Sequence, residues 1–510
     1  MSARNSQPPV FLRPRPHAGV VGKLGAGVAL LCLLAGCAVG PDFVRPDVPP
    51  VTHYAIGADP TATASVDGTA QHFDIGAEVA ADWWHLFGSS KLDAVIADAI
   101  AHNPGLEAAQ ASLRQSEDYL RSGYGIFYPD VDGNVGASRQ KYNPLKIGQN
   151  LPASIFNLFT LSATVNYALD VFGGERRMVE GLGAEVDLAR ATETATYLML
   201  SSNLANTLIA RAAYRAERDA TEQLIAVEKE QVHLGEVQAQ AGTVPYANVL
   251  TLRSQLASVE ATIPQIEQRI AQSEDLLATL AGRTPAEWSP PEIGLAELVL
   301  PSNLPLSLPS DLVRQRPDIL AAEATAHAAS ANIGVATAAM FPSITLSGSY
   351  GSNSTSTSTL LASRGNFWAF GVSATQTLFD GGTLWFKRQA AIDGYQQTMA
   401  LYRQTVLNAF GQVADTLHAL DHDAAVLQAE EEALGAAREA LHLVQANYEA
   451  GLATYLDVLI ADAQYHQALV GELQAIAARY QDSVALFAAL GGGWWNAQSA
   501  GAQANAPVSN

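Results

Sequence analysis

The chain has 510 residues and a formal net charge of -21, from 29 lysines and arginines against 50 aspartates and glutamates. This acidic balance opposes the counterion release that drives binding to nucleic-acid phosphates, so it argues against a nucleic-acid partner. At 48% hydrophobic residues the chain is not a disordered polymer. Two cysteines cannot make a disulfide framework, and a charged fraction of only 15% favours long, closely packed helices.

The first 36 residues have the pattern of an export signal, because basic residues precede a short apolar run. This run is too short to span a bilayer. It ends in Leu34 to Cys37, which resembles the bacterial lipobox, and Cys37 is therefore predicted to carry a covalent lipid at the start of the mature chain. An aspartate just after the lipid-bearing cysteine would favour retention of the lipoprotein in the inner membrane. Because Ala38 occupies this position, the sequence favours an outer-membrane location. A cysteine buried in an apolar segment is the alternative.

Internal repetition indicates the architecture. Pro104 and Pro317 each begin an amphipathic helical pattern and lie 213 positions apart. Gly242 and Gly451 follow an alanine and precede a tyrosine four residues later, and they lie 209 positions apart. The chain is therefore predicted to contain two copies of one unit of roughly 200 residues, far longer than the roughly 20–50-residue period of a solenoid.

In each copy the pattern changes from helical spacing to alternation and back. The alternating stretches predict strands near residues 131–138, 161–170, 343–350 and 368–378. About 10 alternating residues fit a transmembrane β-strand with one face to lipid and one to water. A soluble four-stranded sheet covered by helices fits the alternation equally well. Aromatic residues at the strand ends and the predicted outer-membrane address favour the membrane.

A long helical pattern of about 68 residues follows each strand pair and would span about 100 Å if unbroken. In the second copy an apolar residue recurs at every seventh position from Leu420 to Tyr448, the heptad of a supercoiled helix seam. Glycine ends each pattern, and a second helix returns. The predicted coiled-coil hairpins are 174–282 and 382–490, with tips at Gly242 and Gly451.

Prolines and glycines mark the remaining boundaries. The predicted divisions are a signal segment (1–36), a lipid anchor with an extended tether (37–90), the first repeat (91–282), a proline-rich linker (283–309), the second repeat (310–490) and a flexible tail (491–510).

Several motifs in order resemble the lipoprotein branch of the TolC-like outer-membrane efflux factors. They are the lipobox, Val39 to Phe43 with Pro46, the duplicated helix-strand-strand-helix unit, Leu378 to Gly382, Tyr455 to Leu459, and Ala489 to Trp494. The resemblance covers essentially the whole mature chain. It implies a mainly α fold with a small β part, in a homotrimer whose chains each give four strands to a 12-stranded transmembrane barrel. A periplasmic α-helical coiled-coil barrel would continue this barrel.

The resemblance also implies partners and a role. The chain would be the outer-membrane exit duct of a tripartite efflux system, passively conducting small molecules delivered by an inner-membrane transporter of the resistance-nodulation-division class. A periplasmic adaptor protein would connect the two. No cofactor is predicted, and the lipid on Cys37 is the covalent modification expected.

Members of this family close the duct at the periplasmic helix tips with leucine and acidic side chains. Leu456 matches the family leucine, whereas the usual acid and the usual basic residue fall at Ile460 and Ala463. We therefore expect Leu456 to form an apolar constriction and Asp457, Asp462 or both to supply the acid. Alternatively, both acids face solvent or a neighbouring chain. The adaptor is expected to contact the tips at Gly242, Thr243, Tyr246, Gly451, Thr454 and Tyr455.

No catalytic or nucleotide-binding signature is evident, so the chain is not predicted to be an enzyme. His418 and His422 stand one helical turn apart and could bind a metal, although a solvated helix face is the alternative and no metal is predicted. Other interpretations remain: the duct of a type I secretion-like system, a lipid-anchored periplasmic coiled-coil scaffold, or a lipoprotein enzyme.

Overall fold

The computed structural model describes residues 38–57, 59–66, 70–150 and 152–496, without the side chains of Lys146 and Ile147. The predicted signal segment, Cys37 and residues 497–510 lie outside the described residues. The chain divides into two compact units. Among the described residues, the sheet unit contains 38–43, 120–182 and 329–395, and the helical unit contains 44–119, 183–328 and 396–496.

The described residues form six strands and nine α-helices. In chain order these are β1 (His72–Ile75), α1 (Ser90–His102), α2 (Pro104–Gly123), β2 (Asp130–Tyr142), β3 (Ser154–Leu169), α3 (Gly174–Gln240), α4 (Tyr246–Glu260), α5 (Ile263–Leu280), β4 (Asn303–Leu306), α6 (Pro309–Gln315), α7 (Pro317–Ala338), β5 (Ser343–Ser354), β6 (Asn366–Thr375), α8 (Thr383–Glu449) and α9 (Tyr455–Ala489). Within the described ranges, no helix is both long and apolar enough to cross a membrane.

The sheet unit contains one antiparallel sheet in the order β2-β3-β5-β6, so β2 and β6 are its edges. β2, β3 and β5 are longer than the predicted strands. In β2, the polar residues Arg139 to Lys141 continue the ladder with β3, whereas the predicted strand ends near residue 138. β6 ends at Thr375, before the predicted end at residue 378.

The pairing register gives this sheet one apolar and one polar face. Val131 lies opposite Val165, Val165 opposite Gly348, and Gly348 opposite Phe370. Because directly paired residues share a face and side chains alternate along a strand, this face collects apolar residues from all four strands. They include Val135, Leu161, Leu346, Tyr350, Trp368 and Val372. The opposite face carries hydroxyl and amide groups, such as the Thr160 hydroxyl that donates to Asn353 Oδ1 at 2.8 Å.

All 13 residues of β2 are exposed, which shows that no helix among the described residues covers this strand. On the other edge strand, the side chains of Trp368 and Phe370 are 77% and 72% exposed. A soluble sheet would bury at least one face, so the alternative of a sheet covered by helices is wrong for this chain.

The two copies share their long helices but differ in the arm that returns. α3 and α8 each have 67 residues. α9 then returns as one helix of 35 residues, whereas the first copy returns as α4 and α5, of 15 and 18 residues. Pro264 lies in the first turn of α5, and a proline lacks the amide hydrogen and clashes with the preceding turn. The hairpin predicted at 174–282 therefore has a break that the sequence interpretation did not include.

Apolar stripes on both long helices are buried, as their spacing indicates. Leu420, Leu427 and Leu434 of α8 are buried, and so are Leu200, Leu204 and Leu208 of α3. Full burial of such a side chain contributes about 1.5–3 kcal/mol. These stripes are consequently packing surfaces.

Residues of the predicted tether and linker belong to the core of the helical unit. Trp83 and Phe87 are buried, and the Trp83 ring stacks on Phe487 of α9 with 5.3 Å between ring centroids. β1, within the predicted tether 37–90, pairs in parallel with β4, within the predicted linker 283–309. The segment 37–90 is therefore not extended throughout, because its large aromatic side chains bury their surface against α9.

The start of the predicted flexible tail is also packed. Trp494 Nε1 donates to the Gln315 carbonyl at 2.9 Å, and Asn496 Nδ2 donates to the Val79 carbonyl at 2.7 Å. The prediction of a flexible tail is therefore wrong for residues 491–496, where hydrogen bonds and a 3-10 turn hold the chain.

Two carboxyl groups lie close together where α8 packs against α9, those of Asp423 on α8 and Asp482 on α9. Burial, together with a hydrogen bond to Asp423 and the charge of Asp423, raises the pKa of Asp482 to about 7. Asp423 Oδ2 is buried and has no hydrogen-bond partner among the described residues. Two ionised carboxylates have only acceptors to offer each other, so their contact is favourable when a proton lies between them. Arg479 on α9 also interacts electrostatically with Asp423.

We expect the packing of α9 to weaken as pH rises. The folded-state pKa of Asp482 lies above its unfolded value, so the stabilisation is fully present below about pH 4 and is lost as pH rises through about 7. Asp482→Asn should remove this pH dependence and slow hydrogen exchange in α9 at pH 8. The expected increase in the free energy of opening of α9 is about 1 kcal/mol after allowance for partial solvent screening. The matched control is Asp421→Asn, on the exposed side of α8. Equal pH profiles for the wild type and Asp482→Asn would contradict this expectation.

Candidate functional site at the helix tips

Both hairpin tips are built by the same helix-ending motif. Gly242 and Gly451 have φ angles of +75° and +74°, the left-handed conformation that glycine adopts without a steric penalty. The amide of Thr243 donates to the Gln238 carbonyl at 3.0 Å, and the amide of Leu452 donates to the Asn447 carbonyl at 2.8 Å. These six-to-one hydrogen bonds end α3 and α8, so the chain reverses at the two predicted glycines.

The second tip has a capping box that the first tip lacks. Thr454 caps α9, since its Oγ1 accepts from the Asp457 amide at 3.4 Å and its own amide donates to Asp457 Oδ2 at 2.7 Å. The hydrogen bonds from the Thr454 hydroxyl and amide hold the pKa of Asp457 below its usual value. In the first tip the corresponding residue is Pro245, which makes no side-chain cap. Asp457 is therefore an ionised carboxylate with a structural role.

An apolar stripe is exposed along the first turns of α9. Leu456 and Ile460 are four residues apart on one helix face, and their side chains are 55% and 50% exposed. Leu452, in the turn before α9, is also exposed. The structure thus places Leu456, predicted to form the constriction, on a surface available to another chain.

Asp462 lies in a different environment from Asp457. It is 5% exposed, and its Oδ2 has no hydrogen-bond partner among the described residues. Burial raises its pKa to about 6. An acidic ring that lines a duct needs an accessible carboxylate, so the prediction for Asp462 does not fit this conformation, and the acidic-ring hypothesis now depends on Asp457.

Glu228 of α3 is an acidic neighbour of Asp462 that sequence reasoning missed. Burial, then the charge of Asp462, raises the pKa of Glu228 to about 7, and burial raises the pKa of the nearby Tyr455 hydroxyl. The Glu228 Oε2 and Tyr455 hydroxyl atoms are also buried without a partner in the described part of the chain. One signal was available: Glu228 follows the buried Leu224 by four residues, so it falls on the apolar side of α3.

The six predicted adaptor-contact residues lie at the two tips. Five of them are exposed, and Tyr455 is half-buried, where its ring packs edge-on to Tyr448 at 5.6 Å between centroids. Within residues 38–496 as described, no group of three or more metal-binding side chains forms around His418 and His422.

Comparison with known proteins places this geometry in context. The family of outer membrane efflux proteins matches residues 95–283 and 308–492, one range for each copy. The pyoverdine export outer membrane protein OpmQ of Pseudomonas aeruginosa is 28% identical over 416 residues, which cover 81% of this chain and 87% of OpmQ.

A lipoprotein and a solved channel show the same similarity. The probable outer membrane lipoprotein SilC of Salmonella typhimurium is 28% identical over 472 residues, covering 92% of this chain and 98% of SilC. The structure of the outer-membrane channel OprN superposes with a TM-score of 0.81 at 26% identity, covering 90% of this chain and 100% of OprN. The chain therefore belongs to the outer membrane efflux protein family, and its place is in the outer membrane.

Proposed function

We propose that three copies of this chain form the outer-membrane exit duct of a tripartite efflux system, through which small molecules pass without catalysis. The observation that carries this proposal is the sheet with one apolar face, one polar face and two open edges. An apolar face suits lipid, and a polar face suits a water-filled interior.

The strand order supports closure by identical copies. Four antiparallel strands are an even number, so β6 of one copy runs antiparallel to β2 of the next. Four strands are too few for a closed membrane barrel, which needs about eight or more. Two copies would reach that minimum, and three give the 12 strands that the family resemblance implies.

Outer-membrane efflux proteins work with adaptor proteins and inner-membrane pumps. For this chain we assign the adaptor contact to the tips around Gly242 and Gly451, and the inner-membrane partner to the resistance-nodulation-division class. We also assign a covalent lipid to Cys37, an assignment supported by the lipobox and by the similarity to SilC, which is named a lipoprotein. Leu456 would form the closed constriction, with Asp457 as the acidic side chain beside it.

The trimeric duct is tested on protein purified from outer membranes. Light scattering should give three chains per particle, and reconstitution into planar bilayers should give ion-conducting channels. A monomer that never conducts would refute the proposed function.

A matched pair of substitutions tests which sheet face meets lipid. Phe370→Arg puts a charge on the apolar face and Ser373→Arg puts one on the polar face of the same strand. A charge on the lipid face near the bilayer centre costs about 2–4 kcal/mol, so Phe370→Arg should strongly reduce the amount of folded trimer in membranes. Ser373→Arg should leave it nearly unchanged. Equal yields from both variants would show that the apolar face does not meet lipid.

The gate is tested by single-channel recording. Leu456→Ser should increase conductance of the undocked trimer, and Asp457→Asn should lower its cation selectivity. Asp462→Asn should leave selectivity unchanged, because the carboxyl is buried. Thr454→Ala is the control for the cap, since it removes the hydroxyl and keeps the charge of Asp457. Unchanged currents in Leu456→Ser and Asp457→Asn would remove the gate assignment.

A further inference from the structure

Arg177 is a buried cation that binds the N-terminal end of the described chain. It lies in the first turn of α3, and its side chain is 6% exposed. One guanidinium nitrogen binds Asp42 Oδ1 at 2.6 Å, and another binds Glu180 Oε2 at 2.7 Å. The same group donates to the carbonyls of Val39 and Gly40 at 3.4 and 3.5 Å. All these groups belong to the sheet unit.

Glycines let this segment lie against the helices at backbone distance. Gly40 has a φ of +97°, and a Cβ there would lie 2.5 Å from the Cα of Gly334. A Cβ on Gly334 would lie 2.5 Å from Arg177 Cγ, and one on Gly173 would lie 2.4 Å from the Cα of Ala38. Such distances leave no room for a side chain, so the segment 38–42 occupies a closely fitted seat.

The seat is at the end of the sheet where β3 finishes and β5 begins. The Val39 amide donates to the carbonyl of Phe172, shortly after β3, at 2.9 Å. The Phe172 ring stacks on Phe341, just before β5, with 4.7 Å between centroids. Phe341 and Tyr128, which precedes β2, are exposed at this end. Aromatic rings at strand ends are typical of a membrane interface.

We propose that Arg177 is the positioning residue for the lipid anchor, holding residues 38–42 so that a diacylglyceryl group on Cys37 enters the membrane beside the ends of β3 and β5. This inference rests on the proposed function, because it needs a membrane-embedded sheet and a lipid on Cys37. Consecutive Cα atoms are about 3.8 Å apart, so an anchor on Cys37 has almost no slack once Ala38 is held. A lipid on a long mobile tether would instead leave the sheet free to shift relative to it.

The first test places a probe in the segment beside the lipid. The lipid occupies the sulfur of Cys37 and Cys32 lies in the signal segment, so a cysteine introduced by Pro41→Cys is the free thiol of the processed chain. Pro41 is exposed, and a nitroxide there, in trimers of the lipidated protein reconstituted into phosphatidylethanolamine and phosphatidylglycerol vesicles, allows electron paramagnetic resonance to measure the distances between the three labels. We expect one narrow distance peak in the wild type and its loss in Arg177→Leu. The matched control is Arg190→Leu, which removes an exposed arginine of α3 paired with Asp187 and should keep the peak.

The second test uses the lipidated full-length protein. Arg177→Leu should speed hydrogen exchange at the Val39 amide about tenfold or more, because a charged hydrogen-bond network is lost. If Arg177→Leu does not fold, Asp42→Asn gives the same test, since the Asp42 side chain is 89% exposed and its loss leaves the core intact.

The outcomes separate this inference from the proposed function. Labelled protein of monomer mass with no distance between spins would refute the trimer. Trimers with a broad distribution in the wild type, or with the wild-type peak retained in both Arg177→Leu and Asp42→Asn, would overturn the role of Arg177 and leave the duct intact.

Discussion

The pairing register of the four long strands is the constraint on which the rest of this chain depends. It collects apolar side chains on one face and leaves the backbone groups of β2 and β6 open at the two edges. In water the apolar face is exposed, and in lipid the open edges would leave hydrogen-bonding groups unsatisfied. A single chain solves neither problem, whereas the proposed pairing between copies around water would put the apolar face against lipid and pair the open edges. The sheet unit is therefore the part of the chain on which the proposed assembly depends.

The packing of α9 differs between its ends. Towards its C-terminal end, Phe487 and Tyr480 contact the aromatic cluster of Trp83 and Phe87. Towards the tip, α9 buries the Asp462 carboxyl against Glu228, with polar atoms that lack partners in the described residues. Unsatisfied buried groups reduce local stability, so the part of α9 nearest the tip is the part that opens at lower cost. That location suits the proposed gate, in which this segment would move when the duct opens.

Local patterns carried most of what could be predicted from the sequence. The tips at Gly242 and Gly451 follow from glycine's freedom at positive φ, and the strands follow from alternation. Non-local contacts carried the rest. The pairing of β1 with β4 puts part of the predicted tether into the core, and no local sequence pattern indicates this pairing. At the candidate site, the exposure of Leu456 follows from its helix face, whereas the burial of Asp462 depends on a side chain from α3.

Pro264 makes the two hairpins of each chain mechanically unequal. The arm formed by α4 and α5 already has an interruption at residues 261–262, so bending there breaks no continuous run of helical hydrogen bonds. Bending α9 in the same way would break such bonds along a single rod. In the proposed ring of three copies, hairpins with an interrupted arm would alternate with hairpins whose arm is one continuous helix. The interrupted hairpins would bend more easily, so any widening of the ring would proceed with threefold rather than sixfold symmetry.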